Sequence, residues 1–346
     1  MTSVRRPRVR VVVVEDSTVQ RAHLVHTLQA DGDIEVIGEA ADAPDAVARV
    51  AELRPDVVTV DLQIPGGGGQ HVIEQVMAHT PTPILVLSAK VAGPQSAPAI
   101  DALVAGALDA APKPARWTAV EEGDLRRRVR ALNGVTVLRH PRGRLVNARA
   151  EARGFCRTGE PVVAIAASTG GPPALATVLS GLARVAAPVL VVQHIHDDFV
   201  DGLVSWMARV APLPVRMAAA GDRLHPGTVY IGPGGCHLRV DRDLRVVLDP
   251  EPVTTHRPSA DELFRSIAQH VGRSAVGVVL TGMGDDGAAG LLAIRNAGGR
   301  TLAQDQATSA VFGMPRAAYL AGAVEQQVAI DDMADAIVRA AARFAP

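Results

Sequence analysis

Lysine is nearly missing from this chain: of 35 basic residues, only Lys90 and Lys113 are lysines and the other 33 are arginines. Cysteine is equally scarce, and two residues, Cys156 and Cys236, cannot build the multi-bridge framework of a small secreted domain. Aromatic residues make up 3% of the sequence, which leaves few stacking platforms for single-stranded nucleic acid. A net charge of -1 gives no whole-chain field toward nucleic acid or anionic lipid. The opening MTSVRRPR leads into a strand without the apolar core of a signal peptide, so a reducing, cytoplasmic setting is expected. The one uncharged stretch of spanning length, Pro161 to Ala183, carries STGGPP at its centre, which predicts a strand, a turn and a helix rather than a membrane span.

What remains is ordinary globular material, 48% hydrophobic and 21% charged over 346 residues, enough for roughly two domains of ~150 residues each. Charge is distributed unevenly. Residues 116–160 hold 11 basic against 5 acidic side chains, including the run Arg126 to Arg130, and then lose all sustained apolar period. This predicts a short helix followed by a solvated basic linker, with domains at 8–130 and 160–346 and the linker at 131–159.

Before the linker, apolar runs at Val9 to Val14, Ile34 to Ile37, Val57 to Val60, Ile84 to Leu87 and Ala107 to Ala111 alternate with helical spacing, as in Val19 to Leu28 and Ala46 to Leu53. Continuous apolar strands alternating with helices predict a parallel sheet covered on both faces, a doubly wound α/β domain. Runs at Val162 to Ala166, Val189 to Val192, Thr228 to Ile231, Leu244 to Leu248 and Val276 to Leu280 predict a second one. No repeat of motif residues joins the halves, so they read as different domains. In such folds the chemistry sits past the carboxyl ends of the strands.

In the first half those ends carry Glu15 and Asp16, Asp61, Ser88 and Lys113. Three carboxylates at one edge repel unless a hard cation lies between them, and an oxygen set with room for water suits Mg²⁺. A lysine in so arginine-rich a chain points to a compact ammonium, able with Ser88 to hold the oxygens of a phosphoryl group on Asp61. In the second half, Ser168 lies at a strand-to-helix turn, where a helix start can face developing negative charge, although a Ser-Thr-Gly-Gly turn serves equally as a helix cap or a phosphate cradle. His194 ends the next strand, and Asp286 lies in the glycine-rich turn after Val276 to Leu280. Nucleophile, base and orienting carboxylate would then come from three strand ends, in the chain order Ser, His, Asp. Two other readings use the same residues. His194 and His196 with Asp197, Asp285 and Asp286 could hold Zn²⁺ in a metallohydrolase, or the second half could be an idle docking module governed by the first.

VVVVEDS, VTVDLQIP, LSAK and APKP resemble the receiver domain of bacterial response regulators over about residues 8 to 130. The resemblance implies a flavodoxin-like fold, Asp61 as phosphoacceptor, Mg²⁺ on Glu15, Asp16, Asp61 and the Gln63 carbonyl, and Ser88 and Lys113 as switch and phosphoryl contacts. The motifs SxGG, VVQH, HRPSAD, TGMGxDG and AQDxxxxxVFGMP are similar to the catalytic domain of the chemotaxis protein-glutamate methylesterases, which are also protein-glutamine glutaminases. This implies a Rossmann-like serine hydrolase without a cofactor of its own. Ser168, His194 and Asp286 would be its triad, with Thr169 and the Met283 N–H helping to hold the oxyanion. Partners implied are the cytoplasmic helices of methyl-accepting chemoreceptors and a chemotaxis histidine kinase, with the unphosphorylated receiver packed over the Ser168 edge and the linker as hinge; neither nucleic acid nor membrane insertion is implied. The chain departs from the family pattern at Gly66 to Gly69 after Pro65, at Ala166 in place of Gly, at His196 to Asp198, and at Asp285.

Overall fold

The computed structural model describes residues 8–89, 97–114, 116–135, 137 and 154–344. Two compact units, residues 1–140 and 141–346, make up the chain. Most of the basic linker expected at 131–159 lies outside the described residues.

The first unit alternates strands and helices: β1 (Val9–Val14), α1 (Thr18–Gln29), β2 (Ile34–Ala40), α2 (Ala43–Leu53), β3 (Val57–Asp61), α3 (Gly68–His79), β4 (Ile84–Ala89), α4 (Ala97–Ala105), β5 (Asp109–Lys113) and α5 (Ala119–Leu132). All neighbouring strands pair in parallel in the order β2-β1-β3-β4-β5, the flavodoxin-like order, with its reversal between β1 and β3. Val11 to Val14 are buried to within 1% because helices cover both faces, which is why this strand reads as a continuous apolar run. Local chemistry starts the helices. Ser17 Oγ accepts from Gln20 N before α1, Asp42 Oδ1 accepts from Asp45 N before α2, and Thr118 with Glu121 forms a capping box before α5.

The arginine run lies in α5, the short helix expected ahead of the linker. Arg126 pairs with Asp31 at 3.0 Å, Arg130 with Asp33 at 2.7 Å, and Arg128 with Asp109 at 2.8 Å, so these cations are spent within the unit. The helix continues to Leu132, which is fully buried.

The second unit contains β6 (Val162–Ala167), α6 (Gly171–Ser180), β7 (Val189–Gln193), α7 (Val200–Val210), β8 (Val215–Met217), β9 (Val229–Ile231), β10 (His237–Val240), β11 (Val246–Asp249), α8 (Ala260–His270), β12 (Ala275–Val279), α9 (Ala288–Asn296), β13 (Arg300–Gln304), α10 (Met314–Leu320), β14 (Gln326–Val328) and α11 (Ile330–Ala342). Seven strands form one parallel sheet in the order β14-β13-β12-β6-β7-β9-β8. The chain leaves β6 toward β7 and returns to its other side with β12, so the reversal lies between β6 and β12.

One expected sheet strand belongs elsewhere. The run Leu244 to Leu248 supplies β11, which pairs antiparallel with β10 in a separate ribbon. A tight reversal at Asp241 to Arg245, with Leu244 in the left-handed region at φ 55°, folds it back on its neighbour before it can reach the sheet. β8, β13 and β14 join the sheet without an apolar run to mark them. Gln326–Val328 is mostly exposed, and the polar Gln304 of β13 is buried because its amide oxygen accepts from Thr281 N at 2.8 Å.

Among the described residues no helix is long and apolar enough to cross a membrane. Both cysteines are free, and burial pushes the Cys156 thiol up to about 12. With Cys236→Ser in place, the folded chain is expected to remain unreactive toward an aromatic disulfide at pH 8 and to release one equivalent of thiolate only on denaturation, measured by absorbance.

Candidate active site

The reversal between β6 and β12 brings three loops to one edge. β6 is buried throughout and leads directly into Ser168, whose N–H donates to the Thr281 carbonyl at 3.0 Å. Gly170 takes φ 73° to turn the chain into α6, and a side chain there would press against Ala310 Cβ at 2.6 Å. The loop after β12 is tied to this turn, with Thr281 Oγ1 donating to the Thr169 carbonyl at 2.9 Å and accepting from Val311 N at 2.9 Å. At the next residue, Gly282, an added Cβ would come within 2.7 Å of Ser168 Cβ. Thr169 is 3% exposed, and Met283 is half-buried in the same loop.

His194 follows β7, the strand beside β6, and its N–H donates to the Ala167 carbonyl at 2.9 Å. Its Nε2 lies 2.8 Å from Asp286 Oδ2, while its buried Nδ1 makes no hydrogen bond. Asp286 accepts three further bonds: from Ser259 Oγ at 2.8 Å, Ala260 N at 2.7 Å and Asp261 N at 3.0 Å. The last two are free N–H groups of the first turn of α8, where helix geometry leaves donors without internal partners. Burial alone would raise the Asp286 carboxyl, but the hydrogen bond and charge of His194, with the Asp261 and Ala260 N–H groups, hold it well below the usual carboxylate range. In the neutral form of the ring, an anion fixed at Nε2 favours the tautomer with the proton on Nε2 and the lone pair on Nδ1.

Several residues here were not assigned roles from sequence. His256 stacks on His194 with ring centroids 4.1 Å apart and planes 8° from parallel. Ser259 and the start of α8 hold Asp286, and Gln193 donates from Nε2 to the carbonyls of Ser168 (2.8 Å) and His194 (3.0 Å). The signal lay in HRPSAD, where Ser259 before Ala-Asp-Glu reads as a helix N-cap with acidic first-turn residues. His196 and Asp285 stand apart from the pair. His196 Nδ1 lies 3.3 Å from Asp198 Oδ2 and accepts from Asp198 N in a local turn, and Asp285 is exposed.

A second cluster lies at the carboxyl edge of the first unit. Glu15 and Asp61 are buried, Asp16 is exposed, and their oxygens lie within 4.8 Å of one another. Lys113 Nζ forms an ion pair with Asp61 and lies 2.5 Å from Glu15 Oε2. One ammonium against three carboxylates leaves negative charge uncompensated, and burial, with the Asp61 charge adding to it, pushes the Glu15 carboxyl up despite Lys113. An all-oxygen donor set with surplus negative charge suits a hard divalent cation such as Mg²⁺. Gln63 follows within the same turn, its N–H donating to Asp61 Oδ1 at 3.1 Å, and Ser88 lies on β4 opposite Pro112 in the β5 pairing. Among the described residues this is the one convergent group of three potential metal-binding side chains; His194, His196, Asp197, Asp285 and Asp286 form no such group. The Zn²⁺ alternative therefore lacks its ligand set.

Residues 163–337 match the CheB methylesterase family model and residues 11–122 the response regulator receiver domain model. A protein-glutamate methylesterase/protein-glutamine glutaminase of Anaeromyxobacter dehalogenans is 46% identical over 95% of this chain and 96% of its own length. One of Myxococcus xanthus is 41% identical over 97% of this chain and 98% of its own. The crystal structure of the Thermotoga maritima CheB methylesterase catalytic domain aligns with a TM-score of 0.51 at 30% identity, covering 52% of this chain and 98% of that domain. Family models and near-full-length relatives agree that the chain belongs to the CheB methylesterase family and carries a response regulator receiver domain ahead of its catalytic domain.

Proposed function

We propose that this chain hydrolyses glutamate γ-methyl esters, and deamidates glutamines, on the cytoplasmic helices of chemoreceptors, under control of phosphorylation at Asp61. The observation that carries the reading is the His194–Asp286 pair, with a buried, unshared Nδ1 on an edge where Ser168 follows the neighbouring strand. The names of the near-full-length relatives support the substrate. The receiver would span residues 8–130, the linker 131–159 and the catalytic domain 160–346.

Ser168 Oγ attacks the ester carbonyl carbon and gives its proton to His194 Nδ1. The imidazolium so formed is stabilised through Nε2–H by the Asp286 carboxylate, itself held by four donors. The Met283 N–H and Thr169, whose carbonyl accepts from Thr281 Oγ1 in the same loop, would face the oxyanion. The proton returns from Nδ1 to the leaving oxygen, methanol departs, and water activated at the same nitrogen hydrolyses the acyl-enzyme; an amide releases ammonia instead.

In the receiver, an Asp61 oxygen attacks the phosphorus carried by a histidine kinase and the donor nitrogen leaves. Glu15, Asp16, Asp61 and the Gln63 carbonyl would hold Mg²⁺, which when bound neutralises charge on the phosphoryl oxygens. Lys113 and Ser88 would contact those oxygens. The chain would work in the cytoplasm, with no nucleic acid partner.

Methanol release from methyl-labelled receptor tests both halves. The wild type is expected to release methanol, at least about 10-fold faster with Mg²⁺ and a small phosphodonor, a gain of the size typical of coupling between sites. Asp61→Asn is expected to keep the unstimulated rate and lose the gain. A wild type that releases no methanol under either condition overturns the reading.

A further inference from the structure

Gln193 lies at the end of β7, between the two residues proposed to react, and is 3% exposed. One –NH2 group spends both its protons on the site: Nε2 donates to the Ser168 carbonyl at 2.8 Å and to the His194 carbonyl at 3.0 Å. The orientation of the amide follows from the network, because the flipped form would set an oxygen against two carbonyl oxygens. Its Oε1 is buried and has no donor. An apolar side chain of similar volume would fill this space without stranding an acceptor, so the two N–H donors are what the amide contributes.

The site is also built around this amide. A Cβ at Gly171 would collide with Gln193 Oε1 and lie 2.9 Å from Ala167 Cβ, so the second glycine of the Ser-Thr-Gly-Gly turn is the space that the amide occupies. The Ser168 carbonyl accepts a second bond from Gly171 N at 2.7 Å, closing the turn from which the serine projects. On the other side, His194 N donates to the Ala167 carbonyl at 2.9 Å as the last rung between β6 and β7. Beyond that rung the strands part into their loops, and the described backbone bonds no longer tie nucleophile to base. The amide replaces the missing rung.

We propose that Gln193 is a positioning residue that sets the separation and alignment of the Ser168 hydroxyl and the His194 ring. The inference rests on the roles proposed above for Ser168 and His194. A small misplacement of a nucleophile relative to its base costs on the order of 10²-fold in rate while leaving substrate binding largely intact.

Gln193→Glu keeps the shape and removes the –NH2 donors, and Gly171→Ala retains the amide but displaces it. In the full chain with Mg²⁺ and a small phosphodonor, each is expected to lower kcat for methanol release about 100-fold and to leave KM for methylated receptor within about 2-fold. Each is also expected to slow labelling of Ser168 by a fluorophosphonate by a similar factor. Because both act through one group, the double variant should be no slower than the slower single one. Unchanged kcat in folded Gln193→Glu, or losses that multiply in the double variant, would overturn the inference. So would a loss of kcat that tracks a lost folding transition in both variants, since the amide would then be structural. A wild type that is neither labelled nor active instead overturns the assignment of Ser168.

Discussion

Asp286→Asn is expected to lower kcat for methanol release about 10⁴-fold, and Ser168→Ala about 10⁶-fold, with KM for methylated receptor little changed. The carboxylate accepts from four donors: His194 Nε2, Ser259 Oγ, Ala260 N and Asp261 N. An asparagine has one oxygen and one –NH2, so its amide hydrogens must face at least one of those donors. If the amide turns its –NH2 toward the ring, the proton shifts to Nδ1 and the base is lost. If it turns the other way, Asp261 N in the first turn of α8 loses its acceptor. The loss should therefore appear in the chemical step at every pH, because Asp286, held far below the usual carboxylate range, stays ionised across the neutral and mildly acid span. The double variant with Ser168→Ala should be no slower than Ser168→Ala alone. Single-turnover methanol release measures these rates, and a 10-fold or smaller loss in Asp286→Asn would remove the carboxylate from the mechanism.

Gly69→Ala is expected to destabilise the receiver unit by about 3 kcal/mol, at the upper end of overpacking costs, and to abolish acceleration by phosphodonor. A Cβ at this position would strike the Asp61 carbonyl oxygen and lie 2.8 Å from Leu62 Cα, both backbone atoms that cannot rotate away. Gly69 N also donates to the Leu62 carbonyl at 3.0 Å, which holds the start of α3 against the residue after Asp61, the proposed phosphoacceptor. The three preceding glycines take φ values of 77°, 120° and 80°, a left-handed run that other residues adopt only under strain. The run Gly66 to Gly69, a departure from the receiver pattern, is thus required by the path of this loop. Thermal unfolding of the full chain should show a lower first transition, and basal methanol release should survive below it. An unshifted transition would mean that the loop can move away from Asp61.

Strands buried on both faces were the most legible part of the fold. Val11 to Val14 and Val162 to Ala167 have no exposed side, so apolar content alone marks them. β13 and β14 were not legible. Gln304 is buried for its hydrogen bond to Thr281 N, and Gln326–Val328 forms an edge with little apolar surface to hide. Leu244 to Leu248 misled for the opposite reason: Leu244 and Val246 are buried, but in a strand paired antiparallel with β10 rather than in the sheet.

Local sequence determined that two doubly wound domains would form and which residue types would stand at their strand ends, because both follow from short-range patterns of burial and turn formation. Glu15, Asp16, Asp61 and Lys113, and likewise Ser168, His194 and Asp286, could be named without coordinates. Only the tertiary structure decided how they are held. The start of α8 reaches Asp286 across 25 to 27 residues of sequence, Gln193 crosses from β7 to the Ser168 turn, and His256 covers the His194 ring. It also decided that Nε2 faces the carboxylate and that Nδ1 is free. Contacts between distant segments depend on strand order and helix placement, and neither spacing nor composition encodes which atom of a side chain will meet its partner.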